Sequence, residues 1–325
     1  MYSGGHFTIL LIALLADRLI GDPDILWRRV PHPVVWFGSL IDIFERTFNN
    51  RDHAPWMRRT LGALTIGVLL LFSAVVGQWL CIALDYASFA GLAAEIAIVS
   101  VLIAQKSLAD HVGAVAAGLR EGGLEGGRQA VSRIVGRDPE TLDEFGVSRA
   151  AIESLAENAS DGVVSPAFWY LVLGLPGLFT YKMLNTADSM IGHKSERYRS
   201  FGWAAARLDD VANWIPARLT GVLIALAVAS LKGVKRARKV LAVMWRDARL
   251  HRSPNAGWPE AAMAAATGVA LGGPRIYAGD VADEPFINVS GGHCADVRDI
   301  DLAVVVFWRT MTVFAVIVAA VALSL

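Results

Sequence analysis

The sequence predicts an all-α fold: a polytopic membrane bundle of helices, some re-entrant or broken, with polar loops on the cytoplasmic side. Three observations carry this. Hydrophobic residues make up 54% of the 325, and mean hydropathy is +0.46, above the usual share for a soluble domain. Several apolar runs approach or reach the roughly 20 residues that a bilayer-spanning helix needs. Charged and amide residues also crowd between apolar segments over 153–218. A buried charge costs several kcal/mol unless it is paired or bound to a metal, so ionisable groups at membrane depth mark function. The chain reads as one integral-membrane domain over 1–325.

Taken in order, residues 7–20 are apolar but interrupted by Asp17 and Arg18, a marginal span. The start lacks the basic n-region and A-x-A site of a cleaved signal, so this run is expected to stay attached. Residues 61–84 qualify as a span. Residues 89–104 are shorter and contain Glu95, and still read as a span. A polar helical region follows over 106–161, punctuated by paired glycines and by a turn at Asp138-Pro139. Residues 163–181 contain Gly174, Pro176 and Gly177, which break helices, so a kinked span and a re-entrant hairpin both fit. Residues 211–231 are apolar after Arg218 but begin with Asn213 and Pro216. Residues 255–298 are loop-rich around an alanine-rich helix near 261–270. Residues 302–325 qualify as a span.

Arginine-rich residues 28–59 and the basic run Lys232, Lys235, Arg236, Arg238 and Lys239 place their segments on the cytoplasmic side by the positive-inside rule. Residues 182–210 face outward if 163–181 and 211–231 both cross, and face the cytosol if neither does. Formal net charge is zero and pI about 7.1, which removes an electrostatic case for nucleic-acid binding. Two cysteines, Cys81 and Cys294, imply neither a disulfide nor a cysteine metal site.

Three clusters carry candidate chemistry. Glu153, Glu157 and Asp161 stand at i, i+4 and i+8, one face of a helix with Asp161-Gly162 a candidate end, and Asn158 lies beside them. Mutually repelling carboxylates call for a cation, and oxygen ligands of this kind suit Mg²⁺ shared with substrate phosphates. A solvated acidic helix face has the same spacing. Lys182, Asn185, Asp188 and Ser189 also follow helical spacing and offer a cation, amide and hydroxyl groups and a carboxylate. A polar helix end closed by Gly192 looks alike. Arg207, Asp209, Asp210, Asn213 and Arg218 form the third cluster, for which internal Arg–Asp pairing is the plain alternative. Outside these, Asp22, His32 and Gly38 lie among prolines, and Ser253, Asn255 and Glu260 lie where a loop enters a helix, a place that can hold an anion. The chain has no P-loop, dinucleotide fingerprint or H-E-x-x-H motif.

At these residues the sequence resembles the membrane-bound adenosylcobinamide-phosphate synthases of cobalamin (vitamin B12) biosynthesis. The segments are GDP…VPHPV…G, ESLAENASDGVVSP, YKMLNTADSMIGHKSERY, RLDDVANWIPARLTG, SPNAGWPEA and LGGPRIYAG, spread over nearly the whole chain. The resemblance implies a carbon–nitrogen ligase. It would join adenosylcobyric acid to aminopropanol phosphate or ethanolamine phosphate, with ATP as cosubstrate and Mg²⁺. Under it, Glu153, Glu157, Asp161 and Asp188 handle metal and phosphate, and Lys182 and Arg218 neutralise phosphate. Asp209 and Asp210 form a second metal site or a base for the ammonium group. Asn158, Asn185, Ser189, Asn213, His32, Ser253 and Asn255 bind substrate. It further implies a prokaryotic cell (inner) membrane, a cytoplasm-facing site where the three clusters converge, and other late cobalamin-pathway enzymes as partners. A Mg²⁺-dependent prenyl- or phospho-transferase and an ion-coupled transporter with broken helices are the rival readings. The absence of a repeated N-D-x-x-D pattern counts against the first, and the density of reactive groups counts against the second.

Overall fold

Hydrophobic sequence becomes helix almost throughout the computed structural model, which describes residues 3–21, 27, 31–136, 138–277, 280–282 and 284–325. Asp22 of the GDP segment lies outside these. Among the described residues, five helical stretches are long and apolar enough to cross a membrane: Pro55–Tyr86, Ser88–Val131, Glu144–Ile191, Trp214–Lys232 and Val297–Ser324. The expected spans over 61–84 and 89–104 fall within them, and that over 302–325 does so up to Ser324. Of the two segments whose crossing the sequence leaves open, 163–181 falls within and 211–231 overlaps from Trp214. Residues 7–20 are helical but not among the five. The protein is an all-α polytopic bundle, with contacts dividing it into two units.

The first unit comprises Met1–Ala104, Ser165–Asn213 and Val321–Leu325. Its helices are α1 (Ser3–Ile20), α2 (Pro33–Phe48), α3 (Pro55–Tyr86), α4 (Ser88–Leu102) and, later in the chain, Ser165–Ile191 and Trp203–Ala212. Proline opens both α2 and α3, where its missing N–H costs nothing. One face of α3 is a buried stripe of Gly62, Thr65, Ile66, Leu69, Ser73 and Gly77. The opposite face exposes Leu64, Leu71, Phe72 and Trp79. Small residues inside and large apolar residues outside are the pattern of a lipid-facing helix. The stripe packs against Ser165–Ile191. That helix is broken at Gly174, where φ is 66°, just before Pro176, as its glycines and proline predict. Glu95, unexpected inside an apolar run, is buried and accepts a 2.8 Å hydrogen bond from the Tyr170 hydroxyl.

A second polar anchor holds this unit. Glu45 of α2 is buried and takes two hydrogen bonds from the Arg197 guanidinium, at 2.8 and 2.6 Å, and one from Asn49 at 2.7 Å. Arg58 bonds Asn49 in turn. Burial pushes the Glu45 carboxyl up, but the Arg197 and Asn49 bonds and nearby positive charge outweigh it, leaving the group below its ordinary 4.5. A lowered folded-state value means stability that is present above that ordinary value and lost as pH falls through the lower one. The unfolding midpoint in detergent should therefore drop as pH falls below that ordinary value. Glu45→Gln should flatten that drop; an equally steep drop in the variant would remove Glu45 as its source.

The second unit comprises Gln105–Val164 and Trp214–Ala320. It holds α5 (Gln105–Val131, kinked at Gly123) and α6 (Glu144–Asn158). A π-helix over Ala159–Val164 continues α6. In chain order α7 is Ser165–Ile191 and α8 is Trp203–Ala212, both of the first unit. The second unit adds α9 (Trp214–Lys232), α10 (Val234–Asp247), α11 (Gly257–Thr267) and α12 (Val297–Ser324) as far as Ala320. Alanine-rich α11 is buried along its length and packs on α6, α9 and α10. Asp138 caps a 3₁₀ turn at Pro139–Thr141, as the Asp-Pro pair predicts. Among the described residues the strands are short: β1 (Leu271–Gly272) pairs antiparallel with β4 (Phe286–Ile287), and β2 (Arg275–Tyr277) with β3 (Asp280–Ala282).

Candidate active site

The last turns of α7 and all of α8 build one polar cluster in the first unit. Helical spacing puts Tyr181, Lys182, Asn185 and Asp188 on neighbouring turns of α7. Asn213, the residue that ends α8, donates from Nδ2 to Asp209 Oδ2 at 2.9 Å and accepts at Oδ1 from the Tyr181 hydroxyl at 2.9 Å. Asn185 Nδ2 reaches the other Asp209 oxygen at 3.5 Å. The expected second and third clusters thus meet through Asp209. Tyr181 was not singled out from the sequence; its position beside Lys182 in the YKMLN segment was the available signal.

Burial raises the Asp209 carboxyl most, and the charges of Asp188 and Asp210 raise it further. The Asn213 and Asn185 bonds oppose them, and the group is pushed up to about 7. Asp210 is raised as well, chiefly by burial, against the pull of Arg207 and Lys194. Its 3.3 Å contact with exposed Arg207 is the internal pairing that the spacing allowed. Lys182, next to Tyr181 on α7, is buried. Ser189 is exposed, and its hydroxyl bonds the Asn185 carbonyl. Gly192 closes the helix as expected. A Cβ there would fall 2.0 Å from Asp188 Oδ1, so only glycine leaves this carboxylate its place.

The first acidic cluster belongs to the second unit. Glu153 is buried and accepts the Gly272 N–H of β1 at 2.7 Å. Glu157 is exposed and Asp161 half-buried. Asp161-Gly162 does not end the helix: the chain passes through the π-helix, which turns Asp161 off the strict i+4 register. Such one-turn bulges recur at functional sites, and nothing in the spacing announced this one. Ser160 and Ser165 in and beside it are buried, with hydroxyls that find no partner among the described groups. The π-helix packs against α9.

Arg218 of α9 parts from the rest of its cluster. Its guanidinium lies 4.2 Å from the Trp214 ring and 4.5 Å from Trp258, with Asn255 Oδ1 at 3.5 Å. Asn158 bonds back to the Ser154 carbonyl at 2.9 Å. Ser253 Oγ accepts the N–H groups of Asn255 and Ala256, both at 3.2 Å. His32 caps α2 through Nδ1 and Val34 N. These contacts give Asn158, Ser253 and His32 local structural work.

Among the described residues no three His, Cys, Asp or Glu side chains gather closely enough to hold a metal ion. A fully protein-built metal cage is therefore not present among these residues. A different arrangement fits: Mg²⁺ is commonly held by one or two carboxylates together with substrate phosphates. The mutual repulsion among Asp188, Asp209 and Asp210 is what a cation or an ammonium group would relieve.

Comparison with known proteins gives matches over nearly the whole chain. The family described as CobD/Cbib protein matches residues 10–307. A "Cobalamin biosynthesis protein CobD" of Brucella anthropi is 59% identical over 97% of this chain and 96% of its own. The protein of that name from Rhizobium meliloti is 55% identical over 99% of both chains. That from Rhodobacter capsulatus is 51% identical over 91% and 90%. No solved structure matches. A match across nearly the whole length, through both polar clusters, means that the chain belongs to the CobD/Cbib family of cobalamin biosynthesis proteins.

Proposed function

We propose that this protein is a carbon–nitrogen ligase that joins adenosylcobyric acid to aminopropanol phosphate or ethanolamine phosphate, consuming ATP. The observation that carries the reading is the Asp188–Asp209–Asp210 cluster, with Lys182, Asn185 and Asn213 around it, in a chain of this family. A carboxylate is a poor electrophile. Transfer of the γ-phosphoryl group of ATP to a propionate oxygen gives an acyl phosphate and ADP. Attack by the amine nitrogen forms the amide and releases phosphate. Mg²⁺, when bound with the nucleotide, would neutralise charge on the transferring phosphoryl group.

The chain's own groups divide this work. Asp188 holds the metal–nucleotide end, and Lys182 offsets phosphate charge. Asp209 and Asp210 hold the ammonium group and take up its proton before attack. Asn185 and Asn213 orient Asp209, and Ser189 lies at the open edge. Glu157 and Asp161 are assigned metal and phosphate contacts in the second unit, where Glu153 fixes β1. Arg218 and Asn255 are assigned phosphate contacts there, with Trp214 and Trp258 holding the guanidinium. We assign the protein to a prokaryotic cell membrane with this cluster facing the cytoplasm, because ATP and corrinoids are cytosolic; other late pathway enzymes are the expected neighbours.

Mass-spectrometric product analysis tests this in oriented vesicles supplied with adenosylcobyric acid, one amino-alcohol phosphate, ATP and Mg²⁺. Inverted vesicles should form the amide and right-side-out vesicles should not. Absence of amide with consumption of a lipid diphosphate would favour a transferase instead. Uptake of solute with no new bond would favour a transporter.

A further inference from the structure

Helix α10 has three distinct sides. Ala237, Val240, Val243 and Met244 are buried against the protein. Lys235, Arg238, Lys239 and Ala242 form an exposed stripe on the far side. Val234, Leu241 and Trp245, at i, i+7 and i+11, make an apolar edge beside it; Val234 is 62% and Trp245 60% exposed. Not all of the helix's cations are alike. Arg236 bonds the Ala265 carbonyl and Arg246 pairs with Asp247. Lys232, Lys235, Arg238 and Lys239 make no ion pair among the described residues.

The path of the chain shows where this stripe can lie. Helix α9 ends at Lys232, and Gly233, with φ of 82°, turns the chain. A Cβ on Gly221 would fall 2.4 Å from Met244 Sδ. Gly221 is twelve residues before the turn and Met244 eleven after it, so α9 and α10 run antiparallel, side by side. If α9 crossed the bilayer, α10 would be drawn back into hydrocarbon with its outward cations unpaired, which is strongly disfavoured. A basic stripe with a flanking tryptophan and apolar edge is instead the pattern of a helix lying at the headgroup level.

We infer that the α9–α10 hairpin lies along the membrane surface, although α9 is apolar enough to span, and that Lys235, Arg238 and Lys239 bind anionic phospholipid headgroups while Val234 and Trp245 enter the acyl boundary. The protein would thus recognise membrane charge through a site separate from the polar cluster of α7 and α8. Each cation near an anionic surface contributes roughly a fivefold preference, so three together give on the order of a hundredfold.

The test uses the full-length protein in nanodiscs whose acyl chains are brominated near the headgroup, carried either on phosphatidylglycerol or on phosphatidylcholine. The signal is the fluorescence lost in the native protein but not in Trp245→Phe. Native Trp245 should be quenched by both lipids, and by phosphatidylglycerol at a much lower mole fraction. Lys235→Gln, Arg238→Gln and Lys239→Gln combined should erase that preference while leaving the unfolding midpoint in phosphatidylcholine unchanged, since the three side chains are exposed and unpaired. Equal quenching by the two lipids in the native protein, or an unchanged preference in the triple variant, overturns the proposal. No quenching at all shows a stripe facing water or a protein partner, and overturns it too. A cysteine replacing Ala242, in a background without Cys81 and Cys294, should react with impermeant maleimide in inverted vesicles; protection on both sides would mean that the hairpin crosses.

Discussion

Asp188→Asn should reduce amide formation by on the order of a hundredfold or more, the usual cost of deleting one preorganised electrostatic group, while the fold survives. The substitution keeps size and shape and removes one negative charge. In the folded protein that charge works against its neighbours: Asp188 helps to push Asp209 up to about 7. Removing it relieves repulsion, so the unfolding midpoint should hold or rise. Turnover should fall because the carboxylate assigned to the metal–nucleotide end is gone, and the loss should deepen as Mg²⁺ becomes limiting. Asp42→Asn, which breaks an exposed pair with Arg46 on α2, is the control and should retain near-native turnover, since surface pairs contribute little. Full activity of Asp188→Asn at limiting Mg²⁺ would remove Asp188 from the mechanism.

Gly77→Val should destabilise the first unit by about 3 kcal/mol or more, at the upper end for overpacking. A Cβ on Gly77 of α3 would fall 2.7 Å from Pro176 Cα, 2.8 Å from Pro176 N and 2.9 Å from the Leu175 carbonyl oxygen of α7. All three atoms are backbone, so no side-chain rotation removes the clash. The segment met is the break after Gly174, which has no smooth helical register to slide along. Valine also brings two further carbons. The expected observation is a lower unfolding midpoint in detergent for Gly77→Val. Gly67→Val provides the comparison, because a Cβ at Gly67 has no neighbour within 4 Å. Equal midpoints for the two variants would show that α3 and α7 do not pack through this stripe.

The apolar helices, the break at Gly174-Pro176 and the grouping of Asp209 with Asn213 were legible in the sequence. Each depends on local properties: apolar run length, the φ of glycine, the missing N–H of proline and helical spacing within one element. Partners could not be read this way. Glu45 and Arg197 are 152 residues apart, and only packing of the first unit brings them together. Arg218 shares a segment with Asp209 and Asp210, yet its guanidinium lies against Trp258 and Asn255 of the second unit. A guanidinium takes whichever aromatic face and amide oxygen the fold presents. The register of Asp161 was also beyond spacing, because a π-helix adds a residue to a turn without any distinctive residue type. Apolar run length and residue spacing along the sequence determined that this is an apolar, all-helical membrane protein with its charges gathered in a few motifs. Tertiary structure alone decided which charges face one another, because burial and contact between distant elements set the cost of each charge.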